Sequence, residues 1–307
     1  MTEHVRQVAA RAAAAIRPYL PKRWRGDLPV VPVVRLTGVI GFSTPLRPGL
    51  SIAGVAKTLD RAFAVRNAKA VALAINSPGG SAVQSHLIFR RIRALADEKK
   101  VPVIAFVEDV AASGGYMIAC AADEIVCDPA SIVGSIGVIG ATFGFPEAMK
   151  KLGIERRIYT AGEHKSMLDP FLAENEEDVT RLKAIQRDIH DMFIGLVRER
   201  RGARLTAPEK TMFSGEYWVG KTAKEFGLVD QLGDVRSFLR QRFGEDVVMP
   251  PVAAERSLFG RRTPGVTGIA PERLLDSVLD RALDRHGLID DIISAIETRA
   301  IWARFGL

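Results

Sequence analysis

Two glycine-rich turns, each lying between an apolar run and a helical pattern, place the strongest constraint on how this chain folds. The run at 70–75 (AVALAI) leads into the turn at 76–81 (NSPGGS), and the run at 101–107 (VPVIAFV) leads into the turn at 111–116 (AASGGY). Strands that alternate with helices in this way predict an α/β fold with a largely buried sheet. We expect both turns to lie at the same edge of that sheet.

The second turn holds a serine where a nucleophile would stand. Ser113 falls between a strand and a helix, so its hydroxyl is expected at the sheet edge, beside a helix N-terminus. Oxyanion holes use backbone N–H groups, one beside the nucleophile and one from a neighbouring loop, and Gly114 and Gly80 are the candidates here. The alternatives are a serine N-cap at Ser113 and a phosphate site or a plain connection at 76–81.

A serine nucleophile needs a base, and the chain offers histidines and a lysine. His86, early in the helix after the first turn, is able to approach the site, although a solvated or capping role is the more common one. Lys165 follows the strand-like run 156–159 in a short loop. A lysine serves as a base when burial lowers its pKa, because desolvation disfavours the charged ammonium. The other histidines are His4, His164, His190 and His286.

Five motifs follow one another in a recognisable order. They are 76–80 (NSPGG), 111–116 (AASGGY), 134–138 (GSIGV), Lys165 and 218–230 (WVGKTAKEFGLVD). In this order they resemble the signal peptide peptidase A family of Ser-Lys serine peptidases, over roughly residues 30–245.

The resemblance implies a role for individual residues. Ser113 corresponds to the nucleophile, Lys165 to the general base and Ser135 to the serine that orients this lysine. Gly80 and Gly114 correspond to the oxyanion donors. The spacing from Ser113 to Lys165, 165 − 113 = 52 residues, resembles that of the short members, in which one protomer is expected to supply both groups.

The resemblance also implies a fold and a function. The fold is expected to be crotonase-like, as in Clp peptidases, with repeated ββα units and N- and C-terminal helical extensions. The expected substrates are extended, largely apolar peptides such as released signal peptides, hydrolysed inside a homo-oligomeric ring or dome without a metal or cofactor. Two other functions remain open: an acyl-CoA enzyme that uses the same glycine turns to polarise a thioester, and a catalytically silent scaffold. A Ser-His-Asp site is disfavoured, because no histidine follows Ser113 before His164.

Apolar patterns predict the individual elements. Strands are expected at 30–36, 69–76, 101–107, 124–127, 132–139 and 154–159. Helices are expected at about 51–65, 83–97, 114–122, 176–200, 218–226 and 234–242. The helix at 176–200 is the best defined, because acidic residues at its start and arginines at its end suit the helix dipole.

Composition divides the chain into three parts. These are a basic extension at 1–28, a peptidase domain at 29–250, and a linker with an amphipathic helical tail at 251–307. The extension carries six Lys/Arg against two acidic residues, which accounts for +4 of the net charge of +7. We expect it either to contact an anionic membrane surface or to be solvated. The tail is expected to pack on the domain, on a neighbouring subunit or on a membrane.

The sequence also suggests a location. No apolar run suits a spanning helix or a signal peptide, so the expectation is a cytoplasmic protein, peripheral at the inner face of the membrane if its basic segment binds lipid. Cys120 and Cys127 lie in apolar runs and are expected to be reduced core residues. No nucleic-acid partner is expected, because the chain has neither an RNA-binding motif nor a basic stripe with interleaved aromatic residues.

Overall fold

A computed structural model describes residues 28–41 and 49–253, together with residues 299, 302, 303 and 305. The basic extension and nearly all of the C-terminal tail therefore lie outside the described residues. The division into three parts stays a prediction. No helix of the described residues is long and apolar enough to cross a membrane.

Within the described residues, a seven-stranded sheet forms the centre of the molecule. Its strands are β1 (Val33–Thr37), β2 (Val71–Ser77), β3 (Val103–Ala112), β4 (Glu124–Cys127), β5 (Ile132–Gly134), β6 (Tyr217–Val219) and β7 (Gln231–Leu232). Strands β1, β2, β3, β4 and β7 lie side by side in this order, and each neighbouring pair is parallel. The prediction of an α/β fold with a largely parallel sheet is confirmed.

Strand β3 has different neighbours along its length. Its first part, Ile104–Val107, pairs with β4, whereas Val110–Ala112 pairs with β5, and β2 lies on the other side. Strand β6 extends this branch by pairing antiparallel with β5. The C-terminal end of β3, which leads into Ser113, is therefore hydrogen-bonded on both sides.

Helices cover both faces of the sheet. They are α1 (Ile52–Phe63), α2 (Ala82–Lys99), α3 (Gly114–Ala119), α4 (Pro146–Lys151), α5 (Glu176–Arg201), α6 (Glu209–Met212), α7 (Gly220–Glu225) and α8 (Val235–Phe243). Side chains alternate along the strands, so Leu73 and Ala105 pack with α1, α2, α3 and the end of α5. Ala72 and Ile104 point to the other face and pack with α8.

Two sequence-based predictions of strands need correction. The strand expected at 154–159 is absent. Ile154 and Tyr159 are 52% and 91% exposed, so these apolar side chains lie on the surface and not in a buried strand. The strand expected at 132–139 ends at Gly134, because Gly134 and Ser135 both have positive φ and turn the chain away from the sheet. The predicted helix at 218–226 is divided between β6 and α7.

Residues 138–175, here called the arm, contribute no apolar side chain to the core. The arm packs on itself instead: the rings of Phe145 and Phe171 stack with centroids 5.6 Å apart, and the Arg156 guanidinium lies 4.7 Å from the Phe171 centroid. Large apolar side chains remain exposed along it: Ile139, Phe143, Phe145, Leu152, Ile154, Tyr159 and Leu172.

Candidate active site

Ser113 lies at a strained turn between β3 and α3. Its backbone has φ +52° and ψ −120°, a combination that a residue with a Cβ adopts only when its surroundings impose it. Its N–H donates to the carbonyl of Gly134 at 2.8 Å, which joins the turn to the end of β5. Ser113 occupies the N-cap position of α3, but its hydroxyl makes no capping hydrogen bond. The alternative in which this serine serves as a side-chain cap is therefore wrong.

The two glycine turns are in direct contact. A Cβ added to Gly79 would lie 2.9 Å from the Ser113 Cβ and 3.0 Å from the Gly114 nitrogen. A Cβ on Gly115 would lie 2.4 Å from the backbone oxygen of Ser77. Such distances are shorter than side chains tolerate, so only glycine lets these backbones approach. The predicted convergence of the two turns at one sheet edge is confirmed.

Two backbone N–H groups beside Ser113 suit an oxyanion hole. Gly114 is the first residue of α3, where a helical N–H has no intrahelical acceptor. Next to Gly80, the carbonyl of Gly79 accepts from the Ile40 N–H and the Ser81 N–H donates to the Ile40 carbonyl, both at 2.8 Å. This bridge to Ile40 does not use the N–H of Gly80 itself.

A cavity of about 760 Å³ opens in front of this turn. The polar groups predicted for the site, Ser113, Gly80, Gly114 and Ser135, all line it. The rest of its wall is mostly apolar: Met117, Val138, Ile139, Ile189, Phe193 and Phe305. A serine hydroxyl and two amides at the end of an apolar cleft provide a nucleophile and oxyanion donors suited to acyl transfer to serine.

Backbone bonds fix Ser135 in this wall. Its residue is only 7% exposed, its φ is +53°, and its N–H donates to the carbonyl of Glu216 at 2.6 Å. The next residue, Ile136, accepts a hydrogen bond from Nε2 of His190 at 3.0 Å, when this ring nitrogen carries the proton. The loop after β5 is thus held between β6 and α5.

Lys165 is the predicted site residue that a single protomer does not bring to the cavity. It is exposed on the arm and is absent from the cavity wall. Its neighbours Glu163 and His164 line a separate cavity of about 650 Å³ between the arm and the start of α5, where Glu147, Asp169 and other carboxylates lie. Among the described residues, Ser113 and Lys165 therefore do not line a common cavity.

Several wall residues were not predicted from the sequence. His190 was assigned only to a helical pattern, yet it lines the cavity, whereas the ring of His86 stacks on Phe89 with centroids 6.3 Å apart, away from Ser113. The spacing of Ile189 and Phe193 was a usable signal, because apolar residues four apart mark the inward face of a helix. No local signal placed Phe305 beside Ser113.

The wall behind Ser113 is built around a buried polar cluster. The hydroxyl of Tyr116, in α3, donates to the carbonyl of Leu228 at 2.8 Å. Arg201, at the end of α5 and 3% exposed, donates to the Gly227 carbonyl at 2.7 Å and pairs with Asp230 at 2.8 Å. Burial raises the pKa of Tyr116 well above 10.0. The cluster anchors α3, and hence the Ser113 turn, to the segment after α7.

Comparison with known proteins identifies similar sequences. Residues 95–242 match the sequence profile of peptidase family S49. The chain is 36% identical over 173 residues to a putative protease of Methanocaldococcus jannaschii, covering 56% of this chain and 55% of that protein. It is 32% identical over 225 residues to the chloroplastic serine protease SPPA of Arabidopsis thaliana, covering 69% of this chain and 32% of that protein.

A more similar relative carries a different name. The chain is 52% identical over 293 residues to a protein of Brucella abortus named Na(+)/H(+) antiporter NhaA, covering 95% of this chain and 39% of that protein. The chain thus spans less than two thirds of the length of each of these three relatives. The matched residues 95–242 include Ser113, Ser135 and Lys165.

Proposed function

Because the chain belongs to peptidase family S49, we propose that it is a serine endopeptidase with Ser113 as its nucleophile. The observation that carries this proposal is the Ser113 hydroxyl, which stands at a strained turn, makes no capping bond and lines the 760 Å³ cavity with Gly80 and Gly114. Strain of this kind costs about 1–3 kcal/mol and clusters at functional sites.

In the proposed reaction, Ser113 Oγ attacks the carbonyl carbon of a peptide bond. The carbonyl electrons move onto the oxygen, which accepts hydrogen bonds from the N–H groups of Gly80 and Gly114. Removing one such donor typically costs about 2.7–4 kcal/mol of transition-state stabilisation. The serine proton passes through a base to the leaving amine, and water then hydrolyses the acyl-enzyme through the same base.

We propose Lys165 as this base, delivered by the arm of a second copy. Two features support this: Lys165 is exposed and away from its own Ser113 cavity, and the arm that carries it exposes Phe143, Leu152 and Tyr159 by 72–91%. Soluble monomers rarely leave several large apolar side chains uncovered on one segment. A homo-oligomeric ring or dome, with each arm on its neighbour, would cover these side chains and complete the site.

Ser135 is proposed to orient the amine of Lys165. It shares the cavity wall with Ser113, and its backbone is held by the bond from its N–H to Glu216, so its hydroxyl starts from a fixed position. For substrates, the apolar wall formed by Met117, Ile139 and Phe193 favours extended, largely apolar peptides, and released signal peptides belong to this class.

Labelling with a fluorophosphonate tests the nucleophile. Wild type is expected to be labelled at Ser113 and to hydrolyse an apolar peptide, whereas Ser113→Ala is expected to lose both properties while its circular dichroism spectrum is unchanged. Labelling of Ser113→Ala at the wild-type rate would contradict the proposal.

Mixing two inactive variants tests the source of the base. Ser113→Ala and Lys165→Ala are each expected to be inactive, whereas a mixture refolded together is expected to recover about a quarter of the wild-type activity, since one pairing in four joins an intact serine to an intact lysine across a head-to-tail interface. No recovery would mean that the lysine acts within its own protomer. Full activity of Lys165→Ala with loss of activity in His190→Ala would instead make His190 the base.

We further propose a cytoplasmic protein that binds reversibly to the inner face of a membrane. Its first 28 residues carry a charge of +4, and each basic residue near an anionic surface contributes about 1 kcal/mol. The Brucella relative bears the name of an ion antiporter, a class of protein that works in membranes. The protein is expected to co-sediment with anionic vesicles at low salt, and deletion of residues 1–28 is expected to abolish this. An intact protein that stays in the supernatant would contradict the proposal.

A further inference from the structure

A second, smaller cavity of about 320 Å³ adjoins the cavity of Ser113. Val138 and His190 line both cavities, so the two share a wall. The remaining residues of the small cavity are Lys183, Gln186 and Arg187, all from α5. None of the described residues that line this small cavity is a carboxylate.

Lys183 and Arg187 differ from the other basic residues of α5. Each of the other four pairs with a carboxylate: Arg181 with Glu177 and Asp178, Arg198 with Glu209, Arg200 with Asp123, and Arg201 with Asp230. Among the described residues, neither Lys183 nor Arg187 forms an ion pair. They are four residues apart on one helical face, where like charges repel. The described residues that line the small cavity therefore include two cationic side chains that form no ion pair with other residues of the described chain.

We propose that this small cavity binds the C-terminal carboxylate of the peptide that is cleaved at Ser113. An arginine guanidinium and a lysine ammonium suit a carboxylate, because the guanidinium donates two parallel bonds and the ammonium adds a compact charge. Gln186 adds amide donors beside them. This inference rests on the proposed function, because it assumes that the larger cavity holds the scissile bond.

The shared wall limits the number of residues between the scissile bond and the C-terminal carboxylate. An extended peptide advances about 3.3 Å per residue, so a chain that leaves the Ser113 cavity past Val138 and His190 reaches the small cavity within a few residues. The protein would therefore prefer to cut a short distance from a free C-terminus.

Paired peptides test this proposal. The two peptides of a pair share one apolar sequence, and one ends in a free carboxylate whereas the other ends in a carboxamide. The pairs differ in having one to five residues after the scissile bond. At the best length, the acid is expected to have a kcat/KM at least about tenfold higher than the amide, a difference of about 1.4 kcal/mol, mainly through KM. In Lys183→Gln/Arg187→Gln, the acid-to-amide ratio is expected to fall towards one. Arg236→Gln, an exposed arginine on α8 outside both cavities, is expected to keep the wild-type ratio.

Binding to Ser113→Ala separates this inference from the proposed function, because it needs no hydrolysis. The fluorescein-labelled acid is expected to bind at least about tenfold more tightly than the amide. Equal binding would overturn the inference even if both peptides are cleaved by wild type. Tighter binding of the acid without cleavage of either peptide would keep the inference and overturn the proposed peptidase activity.

Two further measurements distinguish a peptide carboxylate from the other partners that Lys183 and Arg187 could bind. If Lys183→Gln/Arg187→Gln loses binding to anionic vesicles while acid and amide peptides bind equally, the surface faces lipid and the inference is wrong. If the double variant changes the oligomeric state by analytical ultracentrifugation, with acid and amide again equal, the cations pair with a second copy and the inference is wrong. An acid-to-amide difference that the double variant removes supports the inference.

Discussion

Ser113 keeps a backbone conformation that its own Cβ disfavours, and this makes the turn testable without any substrate. Because its hydroxyl makes no capping bond, Ser113→Ala is expected to change the free energy of unfolding by less than about 0.5 kcal/mol. Ser113→Gly is expected to be about 0.5–2 kcal/mol more stable than Ser113→Ala, because glycine accepts φ +52° without strain. Urea denaturation followed by circular dichroism measures both.

Ser237 provides a matched control for this comparison. It lies in α8 with ordinary helical backbone, so Ser237→Gly is expected to be about 0.5–1 kcal/mol less stable than Ser237→Ala, the opposite order. If the glycine and alanine variants of Ser113 follow the order found at Ser237, the turn is not strained.

We expect Cys120 and Cys127 to lower the stability of the protein at alkaline pH. Both thiols are free and buried, and desolvation raises the pKa of each from 9.0 to about 12. Between these values the unfolded chain loses protons that the folded chain keeps, so the free energy of unfolding decreases as pH rises from about 9 to about 12. Replacing both cysteines with alanine is expected to flatten this part of the profile, as measured by urea denaturation at several pH values. A profile with an unchanged slope would contradict the assignment.

The sequence predicted the parts of the site that local turns determine. Ser113, Gly80 and Gly114 follow directly from strand–turn–helix order, because parallel strands bring their C-terminal ends to one edge. The position of Lys165 was not predictable, since the arm around it has no core contact that would fix its direction. His190 was assigned only to a helical pattern, although it lies three residues before Phe193 and therefore on the apolar face that lines the cavity.

Among the helices, α5 shows most clearly what a local pattern is able to specify. The prediction of 176–200 agrees with the observed Glu176–Arg201, because Asn175 caps the first turn and three acidic residues follow it. The strand predicted from the strand-like run at 154–159 is absent, because no second layer covers its apolar side chains. A periodic pattern thus predicts an element only where the rest of the chain supplies a partner surface.

The last turn of α5 carries a buried ion pair whose loss is expected to be costly. Arg201→Met would remove the buried guanidinium from Asp230 and the Gly227 carbonyl, and Asp230 would keep only weaker partners, the Ile125 N–H and the more exposed Arg204. We therefore expect a loss of about 3–5 kcal/mol in the free energy of unfolding. Arg198→Met, on the same helix, removes an exposed pair with Glu209 and is expected to cost less than about 1 kcal/mol. Thermal or urea unfolding compares the two, and equal losses would mean that burial does not set the value of the Arg201 pair.

For the molecule as a whole, the arm is expected to control assembly. Leu152 and Tyr159 are 72% and 91% exposed, so Leu152→Glu/Tyr159→Glu is expected to lower the sedimentation coefficient and the peptidase activity together, because charges in an apolar interface oppose docking. Leu87→Glu, on the exposed face of α2, is the control and is expected to change neither. Loss of activity without a change in sedimentation would place the effect of the arm inside one protomer.

The branching of β3 has a consequence for hydrogen exchange. Amides in the middle of β3 are paired on both sides, to β2 and to β4 or β5, and they are released only when the whole domain opens. The arm contributes no apolar side chain to the described core, so its amides are expected to exchange through local opening. We therefore expect Ser113 to be attached to a slowly exchanging part of the described chain and Lys165 to a faster one, so that substitutions in the arm change turnover while the melting temperature of the sheet stays the same.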